Sequence, residues 1–500
     1  MRIFCSAVLL AMSTAACASE VSVPSSATTE APKPAVAPAK PQSAPSSSLS
    51  RVKIAPLPQA RAMSVAVTTP THTRGAIVAS DLHGSASDDT AMAVARDASS
   101  NVVTVGRLGA SGDVGCGWHA STNGGTYVMK TTPTGACAWA VYFDGDGFVS
   151  PSAVTVAPDG SIFVAGSFEG TATFDVPQTS AGGLDGFIVK LASDGRITWA
   201  RTFGSAEDDY PYAVATSGST VAVGGAFYGT ITLGGTAGTR WTSNGDADAF
   251  VAIFSSSDGG LNTSRAFGGP GWDAVNALTF DEGAVHLVAA GTHAGGLDLG
   301  LGTVASAGGQ DGFVATYDSS LVATGVRSFG GAGDDAAHGV VVDATSRIVI
   351  AGYFTNAAAI GAPSPLSGTG QYTAFWAAYN GSLAFATAAT LDADGASVAE
   401  ALTLGPTGDI VIGGQFTGTT APGPLQMSAG GRRTGFVASF SPSGTATWTT
   451  PISGSADTEV LGMVAASPSV VAVGSSNGTL MGSTAPYAGG SDAVVMTLGN

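Results

Sequence analysis

FGSAEDDYPYAVATSGSTVAVGGAF, residues Phe203–Phe227, is one copy of a pattern that returns about every sixty residues between Ser80 and the C-terminus. GDADAFVAIFSSSDG (Gly245–Gly259) follows it, then an outer run that ends again in FGG at Phe267. Further copies open FGGPGWDAVNAL at Phe267, FGGAGDDAAHGVVVD at Phe329 and SGSADTEVLGMVA at Ser453. The slot after the outer run holds Gly84, Gly145, Gly204, Gly268, Gly330, then Asp392 or Gly395, then Gly454. Seven copies at this spacing mean stacked repeat units, so the chain's 500 residues reduce to one large body rather than several domains.

Residues 151–203 show what one unit is. Ala153–Val156 is a short strand candidate, and Pro158-Asp159-Gly160 is a turn. Ile162–Phe168 and Gly186–Leu191 are rich in β-branched and aromatic residues, and Ser193-Asp194-Gly195 turns the chain into Ile197–Phe203. Four short strands with Asp-Gly turns form an antiparallel meander too small to stand alone. Near-continuous apolar runs such as VAVGGAF and IVIAGYF require cover on both sheet faces. Residues 61–500 are therefore expected to be all-β, a seven-bladed β-propeller of four-stranded antiparallel blades. The last copy runs out at Met496–Asn500 after its third strand, and Ala76–Leu82 has the character of the missing fourth. An N-terminal strand completing the last blade would close the ring and hide a sheet edge.

The recurring FGG-x-G-D-D, V-A-G-x-F and DGFV elements resemble the bacterial SBBP-type β-propeller repeat and look related to NHL-type blades. Trp199, Phe329, Asp334, Asp335, Ala351, Gly352, Asp311, Gly312 and Phe313 carry the likeness. Thr126-Tyr127, Thr373-Ala374-Phe375 and Thr434-Gly435-Phe436 depart from it by replacing Asp-Gly-Phe. The resemblance implies an exported bacterial repeat protein, often behind a signal or lipid anchor, and implies no reaction.

The N-terminus agrees with export. Arg2, the apolar Ile3–Met12 and the small residues after it read as a signal peptide. Ser13-Thr14-Ala15-Ala16-Cys17 resembles a lipoprotein box, which makes Cys17 the expected lipidated residue; Ala16-Cys17-Ala18 is the alternative, an ordinary cleavage site. Residues 1–17 are then the signal, and 18–60, dominated by Ala, Pro and Ser, an extended tether. Ala18 after Cys17 resembles the pattern that sorts lipoproteins to the outer membrane, facing the periplasm or the cell surface; secretion is the alternative. A net charge of −17 with only 19 Lys plus Arg excludes a phosphate-binding stripe, hence nucleic acid, and any membrane link is by the anchor alone.

Cys116 and Cys137, the only cysteines outside the export segment, are expected to form a disulfide. Two acid rows recur. Asp88-Asp89, Asp208-Asp209 and Asp334-Asp335 stand at the blade junctions, with Asp273 and Asp457 single; Asp185, Asp248, Asp311 and Asp492 precede the third strand. Asp208, Asp209, Asp334 and Asp335 are the candidates for calcium, as oxygen ligands at repeated positions. No EF-hand or GGxGxDxU loop is present, and capping of main-chain N–H groups in the crossover turn is the favoured role.

Trp139, Trp199 and Trp448 share an outer-strand slot and should dock one blade on the next. Their DGRITW setting resembles the docking motif of quinoprotein propellers, yet the adjacent Cys pair of those enzymes is missing and no quinone is expected. Trp118 and Trp241 fall in long connections suited to recognition. The histidines show no ligand spacing, and there is no GxSxG elbow, P-loop or dinucleotide fingerprint. No catalytic residue is assigned and no cofactor is expected beyond the calcium candidates. The sequence reading is a monomeric, non-enzymatic binding or scaffold module for a protein or glycan partner. The alternative is a hydrolase or lyase acting on polysaccharide or peptide at the central channel. It needs non-repeating side chains to converge there, and Glu207, Glu282, His338, Arg327 and Arg432 are the non-periodic candidates.

Overall fold

Each copy of the repeat folds into one four-stranded antiparallel sheet, and the computed structural model contains seven such sheets among its described residues. Those are residues 74–499 except 236, 237, 282, 284, 406, 421–425, 481, 482 and 484–486. The signal, the tether, Cys17 and Glu282 lie outside them. In the second blade the strands are Val149–Val156, Ile162–Phe168, Asp185–Leu191 and Ile197–Phe203, close to the reading from sequence. The inner strands are Thr90–Arg96, Val149–Val156, Asp209–Thr216, Ala274–Phe280, Ala336–Val342, Ala396–Leu404 and Thr458–Ala466. Each touches the inner strand of the next blade, and Thr458–Ala466 returns to Thr90–Arg96. The protein is an all-β, seven-bladed β-propeller.

The two middle strands of a blade are covered on both faces, which explains their unbroken apolar runs. Every residue of Ile162–Phe168 and Ile348–Phe354 is buried. The cores lie between blades: Phe203 packs edge-on against Phe250 of the next sheet, and Phe329 against Phe375. Each such ring removed from water contributes about 1.5–3 kcal/mol. Ring closure is as expected. Ile77–His83 pairs antiparallel with Asp492–Gly499, with Ser80 opposite Met496, and becomes the outer strand of the last blade.

Polar clamps add direction to this packing. Trp139 Nε1 and Lys130 Nζ both donate to the Ser193 carbonyl of the next blade, and Trp199 Nε1 and Lys190 Nζ repeat this on Ser256. Arg201, Arg265 and Arg327, two residues before their strand-ending Phe, donate to the carbonyls of Asp258, Leu321 and Leu383, each one blade further on. Arg327 is therefore periodic and structural, which corrects its place among the non-repeating candidates. The sixth slot residue is also corrected. Ala393 makes the bridge to Thr420 that Gly204 makes to Thr232 and Gly330 to Ala359, so neither Asp392 nor Gly395 fills the slot.

Short two-stranded hairpins, such as Thr230–Leu233 with Thr239–Thr242, fill the connections between second and third strands. In the first blade, Gly112–Asp113 and Trp118–His119 form one, and the Cys116–Cys137 disulfide ties it to the outer strand.

Candidate functional site

All seven inner strands carry one residue more than the strand they pair with, always at the same place. The extra residues are Met92, Ser152, Tyr212, Asn276, His338, Glu400 and Leu461. A β-bulge re-aims its extra side chain. Here it does so on the strand that borders the channel, and all seven residues are part-exposed beside buried neighbours. The cause is legible in the frame. Opposite each bulge stands a glycine: Gly106, Gly166, Gly225, Gly291, Gly352, Gly414 or Gly474. A Cβ on any of them would lie well under 3.0 Å from a carbonyl oxygen of the inner strand. The glycine of the A-G-x-F element thus admits the bulge, and the bulge presents a side chain the repeat leaves free to vary.

The bulge residues gather others into two sectors. On the third and fourth blades, Tyr210 and Tyr212 stand parallel with ring centres 6.0 Å apart, and Tyr210 hydroxyl donates to Asp208 at 2.9 Å. Tyr212, Tyr228 and Trp272 pack together around Ala226 and Ala274. Asn276 Nδ2 reaches across to the Ala337 carbonyl at 3.0 Å.

The second sector, on the fifth to seventh blades, is charged. His338 Nδ1 lies 2.7 Å from Glu400 Oε2, bulge residue to bulge residue. Arg433, just before a third strand, reaches Glu459 at 3.6 Å, and Ser475 hydroxyl donates to Glu459 at 2.7 Å. Tyr353 meets His338 edge-on, and Tyr372 flanks Tyr353. Burial works against the charge on His338, but the Glu400 carboxylate outweighs it and holds the imidazole above its ordinary value. Burial also opposes the Glu400 charge, and His338, with Gln415 and Arg433, outweighs it, so Glu400 is lowered. Burial raises Glu459, and Arg433 offsets this only in part. Two neighbouring carboxyls are thus pushed in opposite directions.

Of the non-repeating candidates from sequence, only His338 enters this cluster. Glu207 sits exposed in a crossover loop, and Arg432 donates outward to the Ser455 carbonyl. Glu400, Arg433 and Glu459 were missed. Aligning the copies on the A-G-x-F glycine would have isolated the bulge column, since it holds seven different residue types.

The calcium candidates are separated by the fold. Asp208 and Asp334 accept main-chain N–H groups of the preceding blade, from Leu184 and Gln310, while Asp209 and Asp335 are buried at the junction. Among the described residues no three acidic, histidine or cysteine side chains form a metal-binding group. Trp118 is 60% exposed on its hairpin, whereas Trp241 is half-buried and donates to Ser264 hydroxyl.

No protein-family model matches the chain, and no curated protein matches it. Solved structures that resemble it share little sequence. A quinohemoprotein alcohol dehydrogenase from Comamonas testosteroni has 11% identity and a TM-score of 0.41, over 84% of this chain and 76% of that one. The Pan2 WD40 domain of Neurospora crassa has 8% identity and a TM-score of 0.39, over 83% and 90%. A protein of unknown function from Dyadobacter fermentans has 10% identity and a TM-score of 0.39, over 85% and 98%.

Proposed function

We propose that the protein is a cell-envelope propeller that binds a partner at the channel mouth without turning it over. One observation carries this reading: the bulge column is a repeated display position filled by Met92, Ser152, Tyr212, Asn276, His338, Glu400 and Leu461. A rigid frame presenting variable side chains is the arrangement of a recognition surface. A glycan suits the lining better than a protein loop. Tyr210 and Tyr212 offer ring surface for the apolar side of a sugar, and Asn276, Glu400 and Arg433 offer polar groups for its hydroxyls. Export with lipidation at Cys17 and a tether over residues 18–60 would hold a monomeric body at the outer membrane, and calcium has no part in the reading.

The test is a glycan array probed with the full chain, followed by calorimetry of a hit against Tyr212→Ala and Glu400→Gln. The expected result is a saturable glycan recovered unchanged, with affinity at least about tenfold lower in each variant. Undiminished binding by both would move the site away from the mouth.

A second reading is favoured by the divergence of Glu400 and Glu459: two nearby carboxyls pushed in opposite directions are the arrangement that acid–base cleavage uses. A bound glycan that comes back shortened, with loss of cleavage in Glu459→Gln, would put this hydrolase or lyase reading first.

A further inference from the structure

We propose that four of the seven blade seams each hold one proton between two buried aspartates, so that the ring is tighter in mildly acidic than in alkaline surroundings and loosens as pH rises. The two acid rows that run separately along the sequence meet in space. The residue that opens a blade's third strand, or in Gln310–Tyr317 the second one, faces the residue three before the next blade's bulge. Around the ring these pairs are Asp492 with Asp89, Gly125 with Val149, Asp185 with Asp209, Asp248 with Asp273, Asp311 with Asp335, Thr373 with Ser397, and Thr434 with Thr458. Aspartate occupies both places or neither. A lone carboxylate never occurs, so the two members act as a unit.

The geometry shows what the unit must contain. All eight carboxyls are buried. Asp185, Asp248, Asp311 and Asp492 each accept a main-chain N–H on Oδ2, from Ala181, Asn244, Ala307 and Ala488, and among the described residues their buried Oδ1 atoms accept no hydrogen bond. Across the seam, Asp273 takes Gly269 and Ala294 N–H groups on its two oxygens, and Asp335 takes those of Gly331 and Thr355. At two of the four seams the free oxygen stands beside the same slot glycine as an oxygen of its partner. A Cβ placed on Gly84 would stand 2.6 Å from Asp89 Oδ2 and 2.8 Å from Asp492 Oδ1. One on Gly330 would lie under 3.0 Å from both Asp311 Oδ1 and Asp335 Oδ2. The slot is alanine only at Ala393, where the pair is Thr373 and Ser397.

Two ionised carboxylates together in a dry seam repel. One proton removes one charge and gives the orphaned oxygen an O–H···O bond. Of the titratable and charged groups facing the pairs, only Arg107 and His293 favour the ionised carboxylates, and neither forms an ion pair with one among the described residues. Asp88, Arg107, Tyr127 and Tyr487 face Asp492 and Asp89; Asp208 faces Asp185 and Asp209; His293, Asp334 and Tyr353 face Asp311 and Asp335. Among the described residues Asp248 is the charged group that faces Asp273. None of the eight joins an ion pair among the described residues. Burial first, and the partner's charge second, push Asp209 up to about 8; burial first, opposed by the main-chain N–H groups each accepts and with the partner's charge adding less, pushes Asp273 and Asp335 to about 7 and Asp89 to about 6. The pair titrates as a unit, so these values belong to the seam. Values above those of the unfolded chain mean stability that is full below the ordinary aspartate range and lost as pH rises through about 6 to 8.

The experiment is thermal unfolding of the full chain between pH 5 and pH 9, with Asp248→Asn and Asp311→Asn beside the parent. An asparagine keeps its carbonyl on the Asn244 or Ala307 N–H and offers an N–H to the partner, copying the shared proton at every pH. The parent's Tm should fall as pH rises through the 6 to 8 window. Each variant should show a shallower fall and melt above the parent at the alkaline end. A parent Tm that is flat or rises with pH would overturn the proposal, as would variants shifted equally at every pH. Added calcium that stabilises the alkaline parent and not Asp248→Asn would also overturn it, by showing a cation in the seam. Should a variant fail to fold, the infrared band of a protonated carboxyl in the parent decides: present near pH 6 and gone by pH 9 if the seams hold protons, absent throughout if they do not.

Discussion

Gly352 and Gly330 show how much one missing Cβ can do in this molecule. A methyl on Gly352 would strike the Ala336 carbonyl and press on the bulge that presents His338. Gly352→Ala should therefore cost about 1–3 kcal/mol by chemical denaturation and weaken partner binding at the mouth as well. Gly330→Ala should cost a similar amount, because the methyl meets two carboxylates. Gly454→Ala, whose neighbours are the Thr479 carbonyl at 2.9 Å and a Thr458 methyl at 3.1 Å, should be milder. A mutant series showing no order among the three would contradict this account. At this scale the sequence was only partly readable. Asp208 and Asp209 are adjacent in the chain but serve different neighbours, whereas Asp185 and Asp209 meet only when two blades pack. Arg327 passed for unique because its equivalents, Arg201 and Arg265, sit in runs whose other residues differ.

Among elements, the strands were legible and the connections were not. Ile162–Phe168 and Ile197–Phe203 announce themselves by β-branched and aromatic residues between Asp-Gly turns. Hairpins such as Thr171–Thr173 with Pro177–Thr179 are short, polar and half-exposed, so no hydrophobic period marks them. Two elements carry their own predictions. Removing the strand Ile77–His83 leaves Asp492–Gly499 as a bare edge, and the truncated chain should self-associate on size exclusion where the parent does not. Breaking the disulfide by Cys116→Ser with Cys137→Ser opens a loop of sequence separation 21 and should cost about 3 kcal/mol. Because that loop is one hairpin, hydrogen exchange should rise around Trp118 and stay unchanged on the inner strands.

For the whole ring, the repeat made closure legible and left the site hidden, because a site at an axis is assembled from residues some sixty apart that no local window contains. His338 and Glu400 touch through adjoining blades, so a double-mutant cycle on binding should show coupling between them, while Ser152 and Glu400 on well-separated blades should be additive. The bulge also bears on how such a protein diversifies. Since a glycine in the neighbouring strand creates the bulge, exchanging Met92 or Ser152 for another side chain asks nothing of the packed core. The channel is in effect a seven-character register written on a fixed page, and a lineage can rewrite one character at a time, changing what is recognised without renegotiating how the chain folds.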